Sequence, residues 1–381
     1  MTTTTWVFAA LNVYIYVGYG LLLYIIAQFV KRPLKKEPIE PSISLIIAAF
    51  NEETVIREKL RNVLELDYPA DKLEVIVVAD GSDDRTAQIA SSFTDRGVKM
   101  LYNAERQGKS HALNRGVRRA TGDILVFSDA NAYYVKGALR KLVRNFADPT
   151  VGVVSGSKTV AGDDLDASQV ALSENTYWKY ETSLKKLESS IHSSVGVVGE
   201  MLAMRRNQYR PIPADIINDD AYLAFQSMRD GLRVIYEPEA ISYERPSMTT
   251  QDDVLRRQRM NAGRYQLLFR PKAVWPLTSP LALFMIFSHK FMRLLLPFFM
   301  LACLLFNGLA VFYGNGGVAL KLLLAGQVTV YSVAMLGIVG VENKATRIAS
   351  YIVVSNAAAV GGLVSYLRGR QTVLWEKAQR A

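Results

Sequence analysis

Trp6 to Val30 carries no charged residue, and Lys31-Arg32-Pro33-Leu34-Lys35-Lys36 follows at once. An apolar run of that length spans a bilayer with some tilt. It is too long for the core of a signal peptide, no basic residue precedes it, and no small-residue cleavage site follows. The four basic residues place the next segment in the cytoplasm. The far end repeats the theme: Leu294 to Leu320, Leu322 to Val341 and Ile348 to Leu367 are uncharged and each reads as a transmembrane helix. One crossing before the middle and three after it would put the basic tail (Arg368, Arg370, Lys377, Arg380) outside, whereas the positive-inside tendency prefers it inside. Three resolutions stay open: one C-terminal segment lies in the interface, Leu281 to Phe287 helps to form another crossing, or the tail breaks the rule.

The two ends explain why half of the residues are hydrophobic, while the middle reads as an ordinary globular domain. Lys and Arg exceed Asp and Glu by 45 to 35, and much of that excess flanks apolar segments. That placement favours a membrane surface over nucleic acid. The lone Cys303 excludes an intramolecular disulfide framework, and His111, His192 and His289 are too scattered for a zinc site.

In the middle, strand and helix patterns alternate. Ile43 to Phe50, Leu73 to Ala79, Val98 to Tyr102, Ile124 to Phe127, Val151 to Val154 and Leu232 to Tyr236 read as strands. Asn51 to Leu66, Thr86 to Phe93, Lys109 to Ala120, Val135 to Phe146, Asp163 to Ser190 and Ala221 to Asp230 read as helices. This order predicts an α/β fold with a parallel sheet covered on both faces. Val195 to Met204 reads as loop and strand beneath a pocket, and Asp252 to Arg270 as an arginine-rich helix in the membrane interface.

Ligands of such sheets collect at the carboxyl ends of the strands. Asp129 follows Ile124–Phe127 there; alone it is either a site residue or the start of a turn. Asp80 ends the second strand, and Asp219-Asp220 opens a helix, where capping is the competing explanation. Glu52 and Glu53, after the first strand, are open to the same capping explanation. Together Asp80, Asp129 and Asp219-Asp220 describe a site for a divalent cation and a nucleotide diphosphate, since Mg2+ and Mn2+ bridge phosphates through one or two carboxylates. A remaining acid can act as general base, and Lys109 can offset phosphate charge. Asn103 to Ser110 approaches a P-loop but has Asn103 where the first glycine belongs. No GxGxxG follows the first strand, which disfavours a dinucleotide dehydrogenase.

In this order the motifs resemble those of the membrane-embedded family-2 glycosyltransferases, the group of cellulose, chitin, hyaluronan and exopolysaccharide synthases. The resemblance covers about Ser42 to Gln266 and the flanking membrane segments. It implies a GT-A fold, a Rossmann-like nucleotide-sugar domain between an N-terminal transmembrane helix and a C-terminal bundle. Ala48-Ala49-Phe50-Asn51-Glu52-Glu53 looks like the first nucleotide-binding loop, Asp80 like the acid that contacts uracil or ribose, and Gly108-Lys109-Ser110 like the basic element beside the nucleotide. Asp129-Ala130-Asn131 matches the DxD position that holds the metal, with Asn131 as its second member. Asn218-Asp219-Asp220 matches the TED position, which makes Asp220 the catalytic base. Arg256-Arg257-Gln258-Arg259-Met260 matches QxxRW; Arg259 is the motif arginine, and Met260 stands where the processive synthases have tryptophan at the acceptor. Gly199-Glu200-Met201 matches the acceptor pocket, and Trp375 and Arg380 faintly resemble a gating loop.

The resemblance leads to a multi-pass protein of the cell (inner) membrane. Residues 1–36 would form its anchor, 37–250 a cytoplasmic GT-A domain, 251–292 an interfacial segment and 293–381 the C-terminal helices and tail. It would transfer a sugar, with inversion, from a UDP-linked donor to a membrane-proximal acceptor, in extracellular or capsular polysaccharide synthesis, using Mg2+ or Mn2+. Met260 puts processive synthesis in doubt and leaves sugar transfer intact; a non-processive glycolipid or lipid-linked sugar synthase is the alternative. A non-catalytic nucleotide-sugar sensor and a transporter with a regulatory domain are the rivals from other classes. The nearly charge-free spans argue against the transporter.

Overall fold

Ile43–Ala49 (β1) is buried along its whole length, because Leu73–Asp80 (β2) and Ile124–Asp129 (β4) pair with it on either side and helices cover both faces. Such burial is what its unbroken apolar run requires. The computed structural model describes residues 1–160, 169–244, 250–369 and 373–374. Val98–Asn103 (β3) extends the parallel set to the order β3-β2-β1-β4. Ile56–Leu64 (α2), Thr86–Ser91 (α3) and Lys109–Arg119 (α4) make the crossovers, in the manner of a nucleotide-binding half-fold.

Beyond β4 the sheet is mixed, not wholly parallel as the alternation predicts. The full order is β3-β2-β1-β4-β7-β6-β8-β5. Tyr133–Tyr134 (β5) pairs antiparallel with Arg233–Glu244 (β8), and Val151–Val160 (β6) pairs parallel with β8. Leu202–Arg205 (β7) runs antiparallel to both β4 and β6. Gln169–Ile191 (α6) lies between β6 and β7 and packs both on the N-terminal helix and on β8. The expected helix from Val135 shrinks to Ala138–Val143 (α5), since Tyr133 and Tyr134 are held by β8. The helix after β1 starts at Ile56, later than Asn51, because the amides of residues 51–53 bond across to Ser82, Thr86 and Asp84. Asp219–Arg229 (α7) and Thr250–Leu268 (α8) complete the domain side.

Among the described residues, four helices are long and apolar enough to cross a membrane: Thr2–Phe29 (α1), Pro280–Phe312 (α9), Val318–Ile338 (α10) and Lys344–Leu367 (α11). Leu281 to Phe287 is therefore the start of α9 and not a further crossing. α1 runs antiparallel to α9, with the Tyr14 hydroxyl 2.8 Å from Ser288 Oγ near one end and Phe8 stacked on Phe306 toward the other. α11 lies along α8. A Cβ on Gly362 would come within 2.7 Å of Asn261 Cβ, one on Gly361 within 2.8 Å of Gln258 Nε2, and Tyr366 stacks on Phe269. Past α11 the chain returns to the α/β domain: the Val373 carbonyl lies 3.5 Å from where a Gly108 Cβ would be. Trp375, Arg380, Arg370 and Lys377 lie outside the described residues.

Candidate active site

The carboxyl ends of β1, β2 and β4 meet in one place. Ala48 is buried in β1 and sits in register with Asp129 of β4 and Val78 of β2. Just beyond, Asn51 takes a left-handed backbone (φ 54°), a conformation asparagine tolerates better than most residues. Its Nδ2 donates to Asp83 at 2.7 Å, and its Oδ1 accepts from the Asp83 amide. The Glu52 amide donates to Thr86 Oγ1. The amides of this stretch thus brace the neighbouring loop, while the Glu52 carbonyl accepts from the Val55 and Ile56 amides as α2 begins.

Asp80 is 2 % exposed, and its carboxylate accepts from the Gln107 amide at 3.1 Å and the Gly108 amide at 2.7 Å. The stretch that approaches a P-loop therefore wraps a carboxylate of its own chain. Gly81 makes this possible: it has φ 68°, and a Cβ there would fall 2.6 Å from Arg106 Cα. Asp80 thus shapes the loop and also lines a cleft with Gln107, His111 and Arg115.

Gly108 begins α4 and delivers Lys109 to the centre of the site. Lys109 Nζ lies 2.7 Å from Asp129 Oδ1 and 3.7 Å from Asp219 Oδ2. Burial opposes its charge, but Asp129 and Asp219 override that and raise its pKa. Asp220 follows on α7. Burial first, and then the Asp219 charge, raise its carboxyl above the ordinary range, while Lys109 and Lys290 pull it back. Asp220 Oδ1 accepts from the Ala221 amide at 2.7 Å.

Arg259 comes from α8. Burial lowers its pKa against the charges of Asp219, Asp129 and Asp220, and its Nε is buried with no hydrogen-bond partner. An orphaned guanidinium N–H beside acids suits an incoming anion such as a diphosphate. For a cation the donor set is Asp129, Asp219 and the amide oxygen of Asn131, all oxygen, as Mg2+ and Mn2+ require. Asn131 Nδ2 is turned to Glu244 at 3.2 Å. No cluster of three His, Cys, Asp or Glu occurs among the described residues. A metal here would therefore take its other ligands from phosphate and water, and the residues present fit that role.

The loop before β7 approaches the same acids. A Cβ on Gly199 would sit 3.1 Å from Asp220 Cβ, so this glycine lets the loop touch the acid. Glu200 points inward and pairs with Lys158 at 3.1 Å; burial raises its pKa against the pull of Lys158. Met201 is fully buried, with its sulfur against Gly156. Met260 is 37 % exposed, and its carbonyl accepts from Asn218 Nδ2 at 2.9 Å, which ties α8 to the residue that precedes Asp219 and Asp220 at the start of α7.

The motifs missed three residues. Lys59 is fully buried, donates to the Ala132 carbonyl beneath Asp129, and is pushed down to about 7 by burial in spite of Asp129 and Glu200. Its spacing from Ile56, Leu60 and Val63, on the apolar face of α2, is a visible signal. Lys158 and Glu244 pair beside Glu200 and Asn131, and no local pattern announces them.

Residues 44–209 match the family model described as Glycosyl transferase family 2. A poly-beta-1,6-N-acetyl-D-glucosamine synthase of Staphylococcus aureus is 24 % identical over 262 residues, which cover 66 % of this chain and 62 % of that protein. A probable glycosyltransferase of Bacillus subtilis, YdaM, is 29 % identical over 229 residues, 55 % of this chain and 52 % of that one. The chain thus spans less than two thirds of the length of these curated relatives. Among solved structures, the mannosyltransferase PcManGT from Pyrobaculum calidifontis, in complex with GDP-Man and Mn2+, superposes with a TM-score of 0.73 at 25 % identity. The match covers 96 % of this chain and 99 % of that one.

Proposed function

Given that this chain carries a family-2 glycosyltransferase domain with a GT-A core, we propose that it moves a sugar from a nucleotide sugar to an acceptor hydroxyl at the membrane surface, with inversion at the anomeric carbon. The observation that carries the reading is the meeting of Lys109, Asp129, Asp219 and Asp220 at one sheet end, with the Gly199 loop against Asp220. Lys109 and Arg259 bind the donor diphosphate. Asp220 takes the proton as the acceptor oxygen bonds to the anomeric carbon. The bond from that carbon to the phosphate oxygen breaks, and the nucleoside diphosphate leaves. The raised pKa makes Asp220 a stronger base than an ordinary carboxylate. A Mg2+ or Mn2+ held by Asp129 would neutralise diphosphate charge; the Mn2+ bound with GDP-Man in PcManGT supports this.

In this reading α1, α9 and α10 cross the membrane, α11 lies in the interface against α8, and the domain and the tail face the cytoplasm. The return of Val373 to Gly108 supports that count. Three crossing helices leave little to enclose a polymer, and Met260 replaces the acceptor tryptophan, so single transfer to a lipid-linked acceptor is favoured. The likeness to a poly-beta-1,6-N-acetyl-D-glucosamine synthase favours the second reading, a growing polysaccharide.

The test is release of nucleoside diphosphate by the full chain in lipid nanodiscs. UDP-glucose, UDP-GlcNAc, UDP-galactose, UDP-glucuronic acid and GDP-mannose are compared with Mg2+ or Mn2+, beside Asp220→Asn and Asp129→Ala. Turnover of one donor, lost in both variants, is expected. Turnover unchanged in Asp220→Asn would remove the base assignment, and product length separates the two acceptors.

A further inference from the structure

The second member of the metal motif is a neutral amide, Asn131, and a buried acid stands against it. Tyr133 of β5 lies in antiparallel register with Tyr243 of β8, and their rings stack at 5.6 Å. That pairing brings Asn131, two residues before Tyr133, beside Glu244, the residue after Tyr243. Both side chains are buried, Asn131 at 6 % exposure and Glu244 at 8 %. Asn131 Nδ2 donates to Glu244 Oε2 at 3.2 Å, and Asn131 Oδ1 has no hydrogen bond among the described residues.

Glu244 is held on its other oxygen. Lys158 of β6 pairs with Glu244 Oε1 and also lies 3.1 Å from Glu200 Oε2. Arg256 of α8 approaches the same Oε1 at 3.7 Å. Oε1 is thus turned to the cations and Oε2 to the amide. A carboxylate only accepts, so it takes the NH2 end of a carboxamide and leaves the oxygen end, which is the end a hard cation needs. An aspartate at 131 would instead set a carboxylate oxygen at the 3.2 Å now bridged by a hydrogen bond, where like charges repel.

We propose that Glu244 is a positioning residue for the metal: it selects asparagine over aspartate at 131 and orients the Asn131 amide so that Oδ1 is left for a divalent cation on the donor diphosphate. The inference rests on the glycosyl-transfer reading and deepens it. It also specifies what a neutral isostere at 244 does. In Glu244→Gln, Lys158 and Arg256 keep the remaining oxygen, so the new NH2 faces Asn131 and turns its amide round, with the NH2 end toward the metal. In the double variant Asn131→Asp/Glu244→Gln the donor and acceptor have changed places. The glutamine NH2 donates to one aspartate oxygen, and the other is left for the cation.

The test is calorimetry of UDP and GDP binding to the full chain in nanodiscs, each with Mn2+ and with EDTA. The ratio of the two affinities is the gain due to metal. Asn131→Asp and Glu244→Gln are each expected to cut that gain about tenfold, the usual cost of losing a partner that orients a metal ligand. The double variant is expected to regain it, a coupling that independent sites do not show. Affinity in EDTA is expected to stay within about twofold in all three variants, which verifies that they fold and separates positioning of the metal from a merely structural role. Losses that add in the double variant, an unchanged or larger gain in either single variant, or an equal fall of affinity in EDTA would each overturn the proposal. Nucleotide binding by the unmodified chain that Mn2+ does not strengthen ends the metal assignment and this inference, and leaves sugar transfer standing. No binding of either nucleotide by the unmodified chain ends the glycosyl-transfer reading with it.

Discussion

The Lys109 ammonium donates to the Asp129 carboxylate across 2.7 Å, joining the start of α4 to the end of β4. Asp219 faces the same ammonium at 3.7 Å, so one cation keeps two acids together before any donor arrives. Lys109→Met is expected to raise the donor KM by about tenfold or more, because a charge-assisted contact to phosphate is lost and the acids are left to repel. Initial-rate kinetics in nanodiscs reads this, and an unchanged KM would remove Lys109 from the donor site.

The pH profile follows from Asp220. A base must be deprotonated, and burial and Asp219 hold this carboxyl above its ordinary value, about 3.9 for aspartate. Activity is therefore expected to fall on acidification through a pH higher than that. Because Lys109 lowers the Asp220 pKa, Lys109→Met moves this acid limb to still higher pH. A limb that does not move would uncouple the two residues.

Gly263 in α8 packs against Asn218, the residue before Asp219 and Asp220. A Cβ there would lie 2.5–2.7 Å from the Asn218 carboxamide, which is fixed to the Met260 carbonyl. Gly263→Ala is expected to displace the start of α7, which carries Asp219 and Asp220, and to lower kcat by about ten- to a hundredfold. Nucleotide affinity by calorimetry is expected to stay within about twofold, since misplacing the base costs turnover more than donor binding.

Gly122 tests the fold apart from the chemistry. A Cβ there would lie 2.5 Å from the Ser44 amide nitrogen and 2.6 Å from the Ile43 carbonyl carbon, backbone that cannot step aside. Gly122→Ala is expected to destabilise by about 1–3 kcal/mol, seen as a lower midpoint in thermal unfolding.

A reporter fused after Ala381 tests the membrane count. With α11 in the interface it is cytoplasmic, and with α11 crossing it is external. Labelling by an impermeant reagent in intact cells decides, and external labelling would overturn the interfacial placement.

Much of this was legible where local chemistry is self-sufficient. β1, β2 and β4 are apolar runs that only a covered sheet accepts, and Asp80, Asp129 and Asp219-Asp220 end or begin elements, where ligands gather. What was not legible depends on distant partners. The direction of β7 follows from where α6 returns the chain. β8 extends past Tyr236 to Glu244 because β6 offers it a longer edge across a register shift, and that extension brings Glu244 to Asn131. That the Gln107 and Gly108 amides donate to the Asp80 carboxylate was not legible either, because the loop that supplies them lies across the sheet edge from it. Lys59 was legible in principle, as a lysine on the wrong face of an amphipathic helix.

Gly361 and Gly362 bring α11 against α8, with the Ala262 amide nitrogen and the Gln258 carbonyl 2.9 Å from where a Gly362 Cβ would be. α8 in turn holds Asn218 through the Met260 carbonyl. A side chain at Gly362 would therefore push the last helix off α8 and be felt, through Asn218, at the helix start that carries Asp219 and Asp220.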